Sequence, residues 1–248
     1  MKKLFLITIV VLYTPLIMAQ GFDFSDEDYI SEFIYGANIN TNGGLIGGIF
    51  FKNTKIIKPK VYRSLGFEIV GIKNSKEIRT QSVRTGNTFI PGKRNYLYSI
   101  RFQYGRDYIL FRKGPEEGVQ VSAIFAAGPS IGLQIPYYIL YNFDGEARSE
   151  QYDPNVHTDL NEILQAGGFL EGIGGTQFLF GGNIKAGLSL DFGTFRNSIT
   201  GVEAGFTLEV FNKKAELLAP IAGFTGEIPT NRSIFPGAYL SIFFGSRK

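Results

Sequence analysis

The chain has 248 residues, a net charge of +3 and 19% charged residues, below the roughly 25% usual in soluble domains. So small a surplus does not suggest nucleic acid as a partner, and none is expected. The lack of cysteine excludes disulfides, thiolate metal sites, cysteine nucleophiles and a lipidated cysteine anchor.

Met1, Lys2 and Lys3 precede an apolar run over 4–18 that meets the small residue Ala19. That order of segments reads as an export signal peptide over 1–19, cleaved after Ala19. No other run approaches the roughly 20 apolar residues of a membrane helix. Residues 20–32, with Asp23, Asp26, Glu27, Asp28 and Glu32, read as a solvated periplasmic N-terminal segment. Residues 33–248 read as one β domain, since 31 glycines, 23 phenylalanines and 13 tyrosines favour strands and turns.

Eight strand candidates follow, at about 33–41, 45–52, 60–73, 95–112, 119–141, 178–192, 199–211 and 234–246. Side chains alternate between faces along a strand. In the third, Leu65, Phe67 and Ile69 oppose Ser64, Gly66 and Glu68. In the fourth, Tyr96, Tyr98, Ile100, Phe102 and Tyr104 oppose Ser99, Arg101 and Gln103. The second alternates poorly. The fifth carries Gly128-Pro129 and Pro136, which predicts a bend, a bulge or a division into two strands. In the sixth, Ile184, Ala186, Leu188, Leu190 and Phe192 oppose Asn183, Lys185, Ser189 and Asp191. In the seventh, Val202, Ala204, Phe206, Leu208 and Val210 oppose Glu203, Thr207 and Glu209.

The connectors alternate in length. Those at 53–59, 113–118 and 193–198 are short, and those at 74–94, 142–177 and 212–233 are long. Asn42-Gly43-Gly44 is a tight hairpin. In an exported chain, this pattern predicts an all-β fold: an eight-stranded antiparallel transmembrane β-barrel with three long outer loops, in the outer membrane.

Eight strands leave a lumen only wide enough for packed side chains. Arg101, Lys185, Asp191, Glu203 and Glu209, with Glu68 and with Arg63 from a stretch near Val61 that fits either strand phase, therefore predict a structural network of buried ion pairs rather than a conduction path. No catalytic, cofactor-binding or metal site is assigned. The single histidine, His157, lies in a stretch with Asp153, Asp159 and Glu162. Asp159 and Glu162 read as a capping box for a short helix over 160–165, ending at Gly167-Gly168. The basic loop 74–94 and the acidic loop 142–177 read first as packing on each other. The sharper reading sets lipopolysaccharide phosphates against the first, and a cation or protein partner against the second.

Met18-Ala19-Gln20, Tyr35-Gly36-Ala37-Asn38-Ile39-Asn40, Ala127-Gly128-Pro129-Ser130-Ile131-Gly132 and the segment from Lys185 to Phe192 together resemble the PorT-like superfamily of small outer-membrane β-barrels. The resemblance implies an eight-stranded barrel, and its namesake members support protein export and gliding. It assigns no catalytic residue. The chain departs from common outer-membrane barrels in ending Phe243-Phe244-Gly245-Ser246-Arg247-Lys248, its last aromatic residue four places early. The expected function is a non-enzymatic accessory or anchoring component of an envelope or protein-export assembly, held in outer-membrane lipid beside an unidentified envelope protein. The alternatives are a soluble lipocalin-like lipid-binding barrel, a small porin, and an outer-leaflet lipid-modifying enzyme centred on His157.

Overall fold

A computed structural model describes residues 30–113, 118–193, 197–219 and 231–248; the predicted signal peptide and nearly all of segment 20–32 lie outside them. In chain order the strands are β1 (Ser31–Asn40), β2 (Gly44–Lys58), β3 (Val61–Ile72), β4 (Thr80–Gln81), β5 (Thr88–Phe89), β6 (Asn95–Phe111), β7 (Gln120–Pro136), β8 (Tyr138–Phe143), β9 (Glu146–Gln151), β10 (Ile163–Ala166), β11 (Gln177–Asp191), β12 (Ser198–Ala215) and β13 (Arg232–Arg247). Eight of them close a barrel in the order β1-β13-β12-β11-β7-β6-β3-β2, every neighbour antiparallel. The remaining strands form two small sheets, β10-β8-β9 and β4-β5.

Closure joins the ends of the chain: Glu32 lies opposite Arg247, and the register runs on to Asn40 opposite Tyr239. Glu32, read from sequence as part of a solvated lead-in, is instead a strand residue buried to 7% exposure. Its carboxylate has an ion-pair partner, and this carries it into the barrel.

β2 runs six residues past its predicted end. The connector shrinks to Pro59-Lys60, with Lys60 in the left-handed region at φ 65°. Proline fixes φ at the first turn position, and the left-handed residue after it tightens the hairpin. The inward residues Phe50 and Ile56 make β2 apolar on both faces, which explains its poor alternation.

β7 passes straight through Gly128-Pro129, but the ladder to β6 lapses between Arg101–Ser130 and Tyr104–Ala127. Proline has no N–H to give there. The Asn183 side chain reaches the gap from β11, its amide nitrogen 3.0 Å from both the Gly128 carbonyl oxygen and Ser130 Oγ. A β-carbon on Gly128 would sit 2.1 Å from the Phe102 carbonyl oxygen, so glycine permits this close approach. The division of the fifth candidate falls further on, after Pro136, where β8 leaves the barrel and pairs with β9 and β10.

The long loops thus carry an ordered cap. Asp144 and Gly145 both have positive φ, 49° and 97°, and turn β8 into β9 as a two-residue hairpin. Phe89, Tyr137, Ile139, Tyr141, Tyr152 and Ile163 make a separate apolar core for this cap. The predicted helix over 160–165 is shorter than expected. Asp159 caps Leu160–Glu162, a single 3-10 turn, but Ile163 onward pairs as β10, because fully buried Ile163 fills the cap core. Glu162 does not close a capping box; its carboxylate takes Arg84 and Asn142 instead.

The polarity of the barrel wall is inverted relative to a soluble protein. Phe206 is 73% exposed, and Phe178, Phe180, Ile184 and Phe125 all exceed half, whereas Glu209 is fully buried. A second 3-10 segment, Phe169–Gly175, lies along the same wall: Phe169 meets Tyr96 and Tyr98 edge-on, while Leu170 and Ile173 point outward.

Phe206 lies mid-strand in β12, opposite Ala186 and Ala238. Phe206→Arg is expected to cost about 2–4 kcal/mol if that wall meets hydrocarbon. Denaturant titration in lipid vesicles measures it; a cost below about 0.5 kcal/mol, usual for substitutions on a watery surface, would count against a lipid-facing wall.

Candidate functional site: the barrel lumen and its cap

Inward positions stack three polar layers along the barrel axis. Nearest the long loops, Arg101 on β6 lies between Glu68 on β3 and Glu209 on β12, with Nη2 2.7 Å from Glu209 and Nη1 3.2 Å from Glu68. The Ser99 hydroxyl donates to Glu209 and the Asn38 amide to Glu68. Gln103 Nε2 extends the layer to Asn183 Oδ1 at 3.1 Å.

In the middle layer, Lys185 Nζ lies 2.8 Å from Glu203 and the Tyr239 hydroxyl donates to the same carboxylate at 2.9 Å. Lys52 bridges Asp107 at 3.1 Å and Glu203 at 3.4 Å. Lys185 also sits over the rings of Tyr239 and Phe50, 4.3 and 5.3 Å from their centroids. Partly desolvated cations gain from such faces.

At the end bearing the short turns, Arg247 spans Glu32 at 2.8 Å and Asp191 at 2.6 Å. Lys113 adds a second cation to Asp191 at 3.1 Å. Each anion named in the three layers thus touches at least one cation. Pairing of this kind lets charge persist where isolated charge would be costly.

The five residues singled out from sequence, Arg101, Lys185, Asp191, Glu203 and Glu209, all face inward and are at most 5% exposed. They do not form one cluster: Arg101 and Glu209 share the first layer, Lys185 and Glu203 the second, and Asp191 the third. Glu68 joins Arg101. Arg63 is not part of the lumen; it is exposed on the outer wall, since Tyr62 and Ser64 take the inward phase. Sequence reading missed Lys52, Asp107, Glu32 and Arg247. The continued alternation of β2 through Lys52 and Thr54 was the available signal for the first.

Apolar groups close the lumen above and below. Val70, Ile72, Leu97, Leu179, Phe211 and Phe235 form a plug toward the loops, joined by Leu217 from the segment after β12. Ile34, Phe50, Ile199 and Phe243 pack toward the other end. Two voids between the layers measure about 10 and 20 Å³, room for a water or two.

Charge inside, apolar groups outside and a closed ring of strands with no free edge suit only a hydrocarbon solvent. This is a membrane-spanning barrel. A soluble lipid-binding barrel would need the reverse polarity and an apolar cavity, and among the described residues the lumen has none.

The cap is welded together by its own loops. Ser82 donates to the Ile163 carbonyl at 2.6 Å, Asn87 to Gln165 at 3.0 Å, and Arg84 pairs with Glu162. The basic and acidic loops do pack on each other. Lys93, 2% exposed, meets Glu77 at 2.5 Å. Burial pulls its pKa below the ordinary lysine value, and the Glu77 carboxylate opposes that shift.

His157 is buried to 2% exposure in the cap core, stacked on Tyr152 and edge-on to Tyr141. Its Nδ1 lies 3.0 Å from the Asp153 backbone nitrogen, and its Nε2 is 3.8 Å from Glu150. Asp159 caps the 3-10 turn and Glu162 binds Arg84, so neither carboxylate converges on the imidazole. Among the described residues, histidine, aspartate and glutamate form no group suited to a metal ion.

No protein-family model matches the chain. No curated protein matches it either. Similar solved structures include neisserial surface protein A (13% identity, TM-score 0.38) and the attachment invasion locus protein Ail of Yersinia pestis (8% identity, TM-score 0.37). Ail in complex with the heparin analogue sucrose octasulfate stands at 10% identity and TM-score 0.36. Each comparison covers 88% of this chain and 96% of the other. The architecture described above rests on its own strand register.

Removing one partner of a buried pair leaves the other charge uncompensated. Arg101→Met should therefore cost about 3–5 kcal/mol, measured by unfolding in vesicles, because Glu68 and Glu209 both lose their cation. A change below about 1 kcal/mol would mean that water already solvates the layer.

Proposed function

We propose that this chain is an outer-membrane barrel with no transport path, whose work is done by the cap on its long-loop end: an accessory or anchoring component of an envelope assembly. The observation that carries this reading is the contrast between the two parts. The lumen is filled by paired charges and apolar plugs, while chain length is spent on a cap with its own sheet and core. The predicted export signal and the hydrocarbon-suited wall support the outer membrane as its location.

A protein partner would read the cap surface, where Val83 and Val156 are 82% and 52% exposed. Lys73 and Arg79 are exposed at the root of the basic loop and are the groups that would meet lipopolysaccharide phosphates. Support for protein export in particular comes only from the PorT-like sequence resemblance. An enzymatic reading centred on His157 would need the cap core to open.

The test is conduction set beside loss of function. The purified protein in planar bilayers should show no steady ion conductance, and its deletion should leave small-solute uptake unchanged while disturbing an envelope assembly. Substitutions at Val83 or Val156 should reproduce that defect with the barrel still folded. Reproducible, ion-selective channels abolished by Arg101→Gln would instead make it a small porin.

A further inference from the structure

The outer wall is uncharged at almost every described outward position of the barrel. Through the apolar band, the outward residues of β7, β11, β12 and β13 carry no charge, from Val121 to Leu133, Phe178 to Phe192, Thr200 to Val210 and Ile234 to Phe244. Within the band the exception is a single rung; Lys214 on β12 and Arg232 on β13 are exposed cations beyond its loop-side edge. Lys55 on β2 lies directly opposite Arg63 on β3, and Arg63 lies directly opposite Arg106 on β6.

The three cations therefore stand side by side on one stretch of wall. Among the described residues none of them has an ion-pair partner, whereas the lumen cations all do. Arg106 reaches only its neighbour's backbone, Gly105 O at 3.2 Å, and the face of Tyr104, 4.9 Å from the ring centroid. Like charges placed directly across a ladder repel each other. Apolar groups flank the rung on both sides: Leu65 and Tyr104 toward the long loops, Ile57 and Tyr108 toward the turns, each at least 40% exposed. An apolar wall broken by three adjacent, mutually repelling cations needs an anion that itself arrives attached to hydrocarbon.

The level of the rung identifies that anion. Arg63 is two residues from Val61, where β3 leaves the Pro59-Lys60 turn, at the barrel end opposite the cap. Two residues of tilted strand span only about 5 Å along the axis, which sets Arg63 at the depth of the headgroup boundary; Lys55 stands three residues from the end of β2 and Arg106 five from the end of β6. We propose that Lys55, Arg63 and Arg106 form a phosphate-binding rung for an anionic phospholipid of the leaflet that faces the short turns. The guanidinium forks of Arg63 and Arg106 take phosphate oxygens bidentately, Lys55 supplies a third point charge, and Leu65 and Tyr104, on the loop side of the rung, lie against the acyl chains. The inference rests on the membrane-barrel reading and adds a ligand class to it.

The full chain, reconstituted with equal phosphatidylglycerol and phosphatidylcholine and released into native mass spectrometry, tests it. The expected result is several-fold enrichment of retained phosphatidylglycerol, lost in the Lys55→Gln/Arg63→Gln/Arg106→Gln variant and kept in Lys213→Gln/Lys214→Gln. Equal retention of the two lipids, or enrichment that survives the triple substitution, overturns the proposal. Displacement of the lipid by millimolar inorganic phosphate would mark an ion site and also overturn it, as would a rung-dependent preference for lipopolysaccharide. Should the triple variant not fold, Arg63→Gln alone decides by the same readout. Failure of the underlying reading is distinguishable, since the chain would then leave the membrane fraction without detergent.

Discussion

The ion-pair stack inside the barrel is the constraint on which the other features depend. Charged side chains can face inward through eight strands only if each anion finds a cation at its own level. The register supplies this by placing Arg101 between Glu68 and Glu209, Lys185 and Lys52 about Glu203, and Arg247 between Glu32 and Asp191. A one-residue slip of any strand would turn its charges onto the lipid face. The same pairs therefore select the register, close the ring between the first and last strands, and occupy the space a solute would need.

Because the lumen is spent on packing, functional chemistry is left to the surfaces. These differ at the two ends. The loop end carries a folded cap with its own core, braced across three connections by Ser82, Arg84 and Asn87 and by the Arg94 N–H on the Leu217 carbonyl. The other end carries short turns and the basic rung. The 3-10 segment Phe169–Gly175 fixes the cap at the wall by setting Phe169 edge-on against Tyr96 and Tyr98. The cap is thus tied to the barrel at a defined height rather than tethered above it.

What sequence made legible followed from alternation. β6, β11 and β12 separate cleanly into apolar and polar faces, so Arg101, Lys185 and Glu209 could be placed inward from sequence alone. Legibility failed where the lumen itself turns apolar: Phe50 and Ile56 face inward, blurred β2, and hid Lys52. It failed at the strand ends, where Glu32 read as part of a solvated segment and the last candidate strand stopped one residue short of Arg247, although each supplies the other's partner. It failed in the cap, where Asp144-Gly145 was an available hairpin signal between Tyr141 and Ala147, and where a capping pattern at Asp159 outweighed the strand that Ile163 begins. Arg63 was misplaced because the phase near Val61 depends on the length of a turn that Pro59 shortens.

The central claim is that the barrel strands turn one face to hydrocarbon and the other to a packed polar lumen. The native chain has no tryptophan, so a single introduced indole reports its own surroundings. With Phe206→Trp and Tyr62→Trp each reconstituted in vesicles, the decisive measurement is fluorescence quenching by phospholipids brominated deep in the acyl chain. The structure predicts strong quenching at position 206 and little at position 62, where the ring points into the lumen. Insensitivity at position 206 to brominated lipid, together with ready quenching by aqueous iodide, would contradict the inside-out barrel.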